Sequence, residues 1–229
     1  MGIKTIISVD GTKPNLKLSR ELGMKYVHIP IGYDGISDES GSALARVAKE
    51  LKGPLYIHCH HGRHRGPAAA AFIGLCQGSF DKKQATFFLG EAGTSKEYAG
   101  LWREITLFQA PSPNARLPEL VESAQVRPMV TAMTQISHYF AVLGKKQERD
   151  TSDDKEMMST IILLREEFRE TARMYSDDYD DTFINWLNQS ERHGKRLGTA
   201  FQKRDQKQII SELKEMRSQC KRCHQVYRD

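Results

Sequence analysis

The stretch that most restricts how this chain can fold is Pro54-Leu-Tyr-Ile-His-Cys-His-His-Gly-Arg-His-Arg-Gly-Pro67. Leu55 to Ile57 read as a short buried strand. Pro67, followed by Ala68 to Ala71 and Phe72-Ile73, reads as the opening of a tightly packed helix, with proline where a first helical turn tolerates it. Between them lie Cys59, Gly62 and Arg65. A loop that feeds a helix N-terminus aims several backbone N–H groups and the positive end of the helix dipole at one point. Such a nest holds a tetrahedral oxyanion and favours negative charge on a cysteine sulfur at its base. Arg65 adds a planar fork suited to two phosphoryl oxygens.

His58-Cys59 and Arg65, in the spacing His-Cys-x5-Arg between strand and helix, resemble the signature loop of the cysteine-dependent protein-tyrosine and dual-specificity phosphatases. The resemblance implies hydrolysis of a phosphomonoester through a phosphocysteine. Cys59 is then the nucleophile, and Arg65 with the loop His60, His61, Gly62, Arg63 and His64 binds phosphate. An aspartate on the loop after the preceding strand serves as general acid and base. Asp34, in Ile29-Pro-Ile-Gly-Tyr-Asp-Gly-Ile36, stands there; Asp38 is the fallback, although its position suits a helix cap. One departure is Gly66, where the family usually has a hydroxyl that bonds the departing thiolate, so slow hydrolysis of the phosphocysteine is expected. His58 is expected to order the loop. His60, His61 and His64 can make the loop's charge vary near pH 6.5. The same histidines with Cys59 leave a metal cluster as another reading, and a chance match around a structural cysteine as a third.

The first half alternates strand and helix: strand 3–9, a short helix near 15–22, strand 25–31, a helix from Ser37 or Asp38 to about 52, then the third strand. Helices are expected at about 67–77, 81–92 and 95–108. This is the pattern of a parallel α/β sheet, whose ligands sit beyond the carboxyl ends of the strands. The phosphatases it resembles carry a further strand and helix ahead of the piece matching Ile3.

Residues 110–117, within Gln-Ala-Pro-Ser-Pro-Asn-Ala-Arg-Leu-Pro, read as a linker between a domain at 1–109 and one at 118–229. Beyond it, helical periodicity dominates at about 118–144, 153–176, 179–203 and 205–227, which suggests an antiparallel four-helix bundle. Ile209, Ile210, Leu213, Met216, Cys220, Cys223 and Tyr227 form the clearest apolar stripe.

That last helix carries Cys220-Lys-Arg-Cys223-His224, the C-x-x-C-H attachment pattern for c-type haem. Thiols three apart on a helix reach two vinyl groups of one porphyrin, and the neighbouring histidine can ligate iron. Placed at the end of the last helix of a bundle, the motif resembles cytochrome c prime. The resemblance implies covalent haem on Cys220 and Cys223, His224 as iron ligand, a redox partner or small gas ligand, and a homodimer. It also implies export to the periplasm, with a signal peptide removed. A zinc site using Cys220, Cys223, His224 and His138 or His193 stays open. Met129 and Met133 can ligate or fill the opposite side, and Phe183 and Trp186 can pack the bundle or the porphyrin face.

The remaining composition narrows the classes. The chain has 229 residues, four cysteines and a formal charge of +5, with a mean hydropathy of −0.56. Four cysteines are too few for a disulfide scaffold, and no run approaches a membrane span. No basic run interleaved with aromatics points to nucleic acid. Cys76 is expected to be a buried helical residue, or a distant partner for oxidised Cys59. A phosphate-binding protein without useful turnover is the competing function.

Overall fold

The computed structural model describes residues 2–112, 115, 117–125, 128–147 and 154–227. The chain divides into two compact units, Met1–Val126 and Arg127–Asp229.

The first unit holds β1 (Thr5–Ser8), α1 (Leu16–Glu21), β2 (Lys25–His28), α2 (Asp38–Glu50), β3 (Leu55–His58), α3 (Arg65–Cys76), α4 (Lys82–Glu91) and α5 (Ala99–Thr106). The three strands form one parallel sheet in the order β2-β1-β3. Ser8 is in register with both His28 and His58, so all three strands end level. The chain therefore leaves the sheet at Val9, Ile29 and Cys59 along one edge, where parallel sheets bind ligands. Ala68, Ala69 and Ala71 are fully buried on α3, and their small side chains let that helix pack closely against β3, α2, α4 and α5. Ile7, Leu44, Leu89, Leu101 and Ile105 complete the core, each with no exposed surface.

Two expectations are corrected here. The helix expected over 95–108 begins only at Ala99, because Thr94 and Ser95 bond the loop before α3 instead of continuing a helical ladder. The helix expected from residue 118 begins at Met129. Residues 117–125 are neither helix nor strand, and they lie in the first unit, past the expected 110–117 linker. Their backbone bonds go elsewhere: Val121 O accepts from His28 N at 2.9 Å, and Pro118 O accepts from Arg46 Nη1 at 2.8 Å.

The second unit holds α6 (Met129–Gln147), α7 (Asp154–Met174), α8 (Asp181–Gln202) and α9 (Gln206–Tyr227), each packed on the next in sequence. Leu143, Ile161, Leu164, Leu197 and Met216, drawn from all four, share one apolar core. Asp180 caps α8 by accepting from Phe183 N at 2.9 Å and accepts the Tyr227 hydroxyl at 2.5 Å, tying the start of α8 to the end of α9. On α9, Ile209, Leu213 and Met216 are buried as the stripe requires. Ile210 departs from it and is 49% exposed, because an adjacent helical position is turned about 100° away. No helix among the described residues is long and apolar enough to cross a membrane.

Candidate functional site

The first candidate site forms where β3 ends. His58 O accepts from Val9 N at 2.8 Å, and the His58 ring lies 3.2 Å from the Tyr26 hydroxyl. Cys59 follows, 5% exposed. Gly62 then takes a φ of +70°, a left-handed turn that a residue with a β-carbon resists, and this lets the loop curl back toward α3. The helix starts at Arg65, ahead of the expected Pro67.

Among the described residues, five helices are capped by side chains, from Asn15, Ser37, Asp81, Asp180 and Asp205. At α3 the capping position is His64, which makes no such bond. The backbone N–H groups of His61, Gly62, Arg63 and His64 donate to no acceptor among the described residues. A run of free amides beside a helix N-terminus is what an anion requires. A β-carbon built on Gly66 would lie 3.7 Å from Cys59 Sγ and 3.5 Å from Cys59 N, so the cysteine sulfur sits against the first turn of the helix that Arg65 opens.

Arg65 is held from several directions. Its side chain is 2% exposed. It donates to Asp10 Oδ1 at 3.2 Å, to Ile31 O at 3.3 Å and to the Tyr33 hydroxyl at 3.4 Å. The guanidinium also lies 4.3 Å from the Tyr33 ring centroid. Asp10 in turn accepts from Gly11 N at 2.7 Å and Thr12 Oγ1 at 3.2 Å. A guanidinium restrained by a carboxylate and an aromatic face loses little rotamer freedom on meeting a phosphate.

A second loop supports the first. Thr94 Oγ1 donates to Arg63 O at 2.9 Å, and Ser95 N donates to His64 Nδ1 at 3.3 Å. The Arg63 guanidinium lies over Gly93, where a β-carbon would come within 3.2 Å of it. Tyr98 packs its ring 4.6 Å from His64 and 4.9 Å from Tyr33. Burial, then the charges of Arg63, His61 and Arg65, pull the His64 pKa down to about 4. His64 is therefore neutral at pH 7, with its proton on Nε2 because Nδ1 accepts from Ser95. This corrects the expectation that His64 titrates near 6.5. His60 and His61 are exposed, with rings 4.5 Å apart.

The expected acid is placed less directly. Asp34 is exposed, its carboxylate turned back over Gly32 and its carbonyl set against Gly100, where any β-carbon would overlap it. Its neighbour Tyr33, rather than Asp34, is what reaches Arg65. Asp38 opens α2 immediately after the capping Ser37. Cys76 ends α3, half-buried and free, with burial pushing its thiol up to about 11.

Asp10, Tyr33, Thr94, Ser95 and Tyr98 are site residues that the sequence pattern did not expose. Asp10 alone carried a signal: it follows the carboxyl end of a strand in a parallel sheet, the place where ligand-binding side chains collect.

The second candidate site lies wholly within the second unit. Cys220, Cys223 and His224 line a cavity of about 690 Å³, walled by Met133, Ile136 and Phe140 of α6, Phe168 of α7, and Trp186 and Leu187 of α8. Arg217 and Lys221 line it as well. Both cysteines are free and half-buried. Burial raises the pKa of Cys220, and burial with the neighbouring Cys220 raises that of Cys223 to about 11. Two protonated thiols one helical turn apart, a histidine beside the second, largely apolar walls and two cations make a donor set whose chemistry suits a porphyrin bearing carboxylates. Phe183 is buried away from the cavity, stacked 4.2 Å from Tyr179. Met129 packs against the core but is outside the cavity lining. The zinc alternative is not assembled: His193 Nδ1 lies 2.6 Å from Glu212 Oε2, the His138 ring packs on Tyr139, and no group of three metal-binding side chains converges among the described residues.

No family model, no curated protein and no solved structure matches this chain.

Proposed function

We propose that the first unit hydrolyses phosphomonoesters through a phosphocysteine. The observation that carries this reading is the position of Cys59 Sγ, 3.7 Å from a β-carbon at Gly66 in the uncapped first turn of α3. The Cys59 thiolate attacks phosphorus in line, forming an S–P bond as the ester P–O bond breaks. The free amides of the loop and the Arg65 fork take the negative charge of the equatorial oxygens. Asp34 gives its proton to the leaving oxygen. It then removes a proton from the water that attacks the phosphocysteine, releasing phosphate and regenerating the thiolate. The loop carrying Asp34 must swing for this, since its carboxylate now faces Gly32.

Hydrolysis of p-nitrophenyl phosphate by the parent, absent in Cys59→Ser, is the expected result. Equal and negligible rates in both would overturn the enzyme reading. The second reading, phosphate binding without turnover, is favoured by Gly66, which offers no hydroxyl to the departing sulfur.

For the second unit we infer an antiparallel four-helix bundle that holds haem c, with Cys220 and Cys223 forming the thioethers and His224 ligating the iron. Bound there, the group would supply electron transfer or capture of a small gas. Arg217 and Lys221, which line the cavity together with the polar Ser137, Ser190 and Gln219, would meet its carboxylates, and Met133 would supply part of the apolar wall. Export, dimerisation through the helices and coupling of turnover to the haem state follow from this reading as proposals. A Soret band that survives acid–acetone extraction, in protein made with a haem-attachment system, is the expected result. Loss of that band on extraction would remove the covalent assignment.

A further inference from the structure

Residues 117–125 are held against the rest of the first unit at four points. Pro118 O accepts from Arg46 at 2.8 Å, and Glu122 pairs with Arg20 at 2.6 Å. Val121 O accepts from His28 N at 2.9 Å, and Ala124 N donates to His28 Nδ1 at 3.1 Å. Two of the four converge on one residue of β2, an edge strand of the sheet. Covering an exposed edge needs only the backbone bond to Val121. The ring contact does something more.

The His28 ring is 2% exposed. Its Nδ1 accepts from Ala124, so Nε2 carries the proton and donates to Asp10 O at 2.8 Å. Burial lowers the His28 pKa, which keeps the ring neutral and this bonding direction fixed. The Asp10 carboxylate holds Arg65 at 3.2 Å. Three consecutive contacts thus run from the strap, through His28 and Asp10, to the arginine of the anion loop, with every member buried or part-buried.

We propose that residues 117–125 form a lever on phosphate binding: seated on His28 they fix Asp10 and hold Arg65 in its binding position, and unseated they let it relax. His28 is a positioning residue in this scheme, acting through Asp10 and touching no substrate. The strap is the last stretch before the second unit begins at Arg127, so a pull on it is a route by which events in that unit reach the anion loop. The inference rests on the phosphate-site reading above.

The test uses the full chain and inorganic phosphate as the probe, with affinity measured by calorimetry. Arg20→Ala combined with Arg46→Ala removes two outer fastenings while leaving His28, Asp10 and Arg65 intact, and hydrogen exchange at 117–125 reports the loosening. We expect phosphate affinity to fall by about 3- to 10-fold, the range of an ordinary coupling between distant groups. His28→Leu is expected to do the same, and His28→Gln, whose amide can both donate and accept, to restore part of the loss. A purely structural strap would lower the unfolding temperature of these variants and leave phosphate affinity unchanged. Faster exchange at 117–125 with parental affinity would therefore overturn the lever alone. Failure of the parent to bind phosphate, or equal binding by Arg65→Met, would overturn the phosphate-site reading and the lever with it.

Discussion

Arg65 receives contacts from Asp10, Ile31 and Tyr33, which leave the carboxyl ends of two different strands, whereas Cys220, Cys223 and His224 all stand on the last turns of one helix. The first site is assembled by tertiary structure: its parts are far apart in sequence and meet because three strands end level. The second is assembled locally, and tertiary structure supplies only the apolar walls facing it. A site of the first kind fails when any supporting element shifts. One of the second kind keeps its reactive groups together as long as the helix forms. The comparison therefore predicts that distant substitutions act on the first site and leave the second motif intact.

The largest expected effect is at the proposed nucleophile. Cys59→Ser should lower p-nitrophenyl phosphate turnover by about a thousandfold or more, with phosphate binding retained and the Soret band of haem-loaded protein unchanged. Next is the support of Arg65. Asp10→Ala leaves a buried guanidinium short of its carboxylate, and removing one partner of such a pair costs about 3–5 kcal/mol. Urea unfolding should show this as a lower midpoint for the first unit, and an unchanged midpoint would mean that Asp10 is dispensable to the site. On the other side, with haem c held as proposed, Cys220→Ala should leave it attached through a single thioether, read as a shifted absorption maximum of the reduced pyridine complex, without altering phosphate affinity.

A smaller effect sharpens the chemistry. A β-carbon fits at Gly66 at ordinary van der Waals distances, so Gly66→Ser should fold and present its hydroxyl to Cys59 Sγ. If release from phosphocysteine limits turnover, the rate rises by about 3- to 10-fold, the lower range for assistance by one positioned group. A pre-steady-state burst should shrink in parallel. The smallest effect is pH-dependent. His64 is depressed in the folded state to about 4 from its ordinary 6.5, so folding favours its neutral form. Its contribution to stability is fully present above about pH 6.5 and is lost as pH falls toward about 4. His64→Gln should flatten that part of the stability profile of the first unit.

How far the chain could be read in advance follows the same division. Cys59, Arg65 and the C-x-x-C-H triplet were visible because each depends on spacing within one loop or one helix. Asp10 was marked only by its place after a strand, and Tyr33 and Ser95 by nothing local: their role comes from sheet register and from a turn that meets another loop. The stretch after Pro118 was misread as helix for a related reason. Its backbone partners, His28 and Arg46, lie so far back in the chain that no periodicity announces them.

The close fit of Gly100 beneath Asp34 reaches beyond packing. The resting place of the proposed proton donor is decided by a lone hydrogen atom on α5, a helix that supplies nothing to the reaction. Replacing that hydrogen with a methyl group would raise the floor under the loop, and the donor would ride up with it. Position 100 is in that sense a hidden spacer: one carbon added there retunes the reach of an acid without altering any residue a substrate would meet.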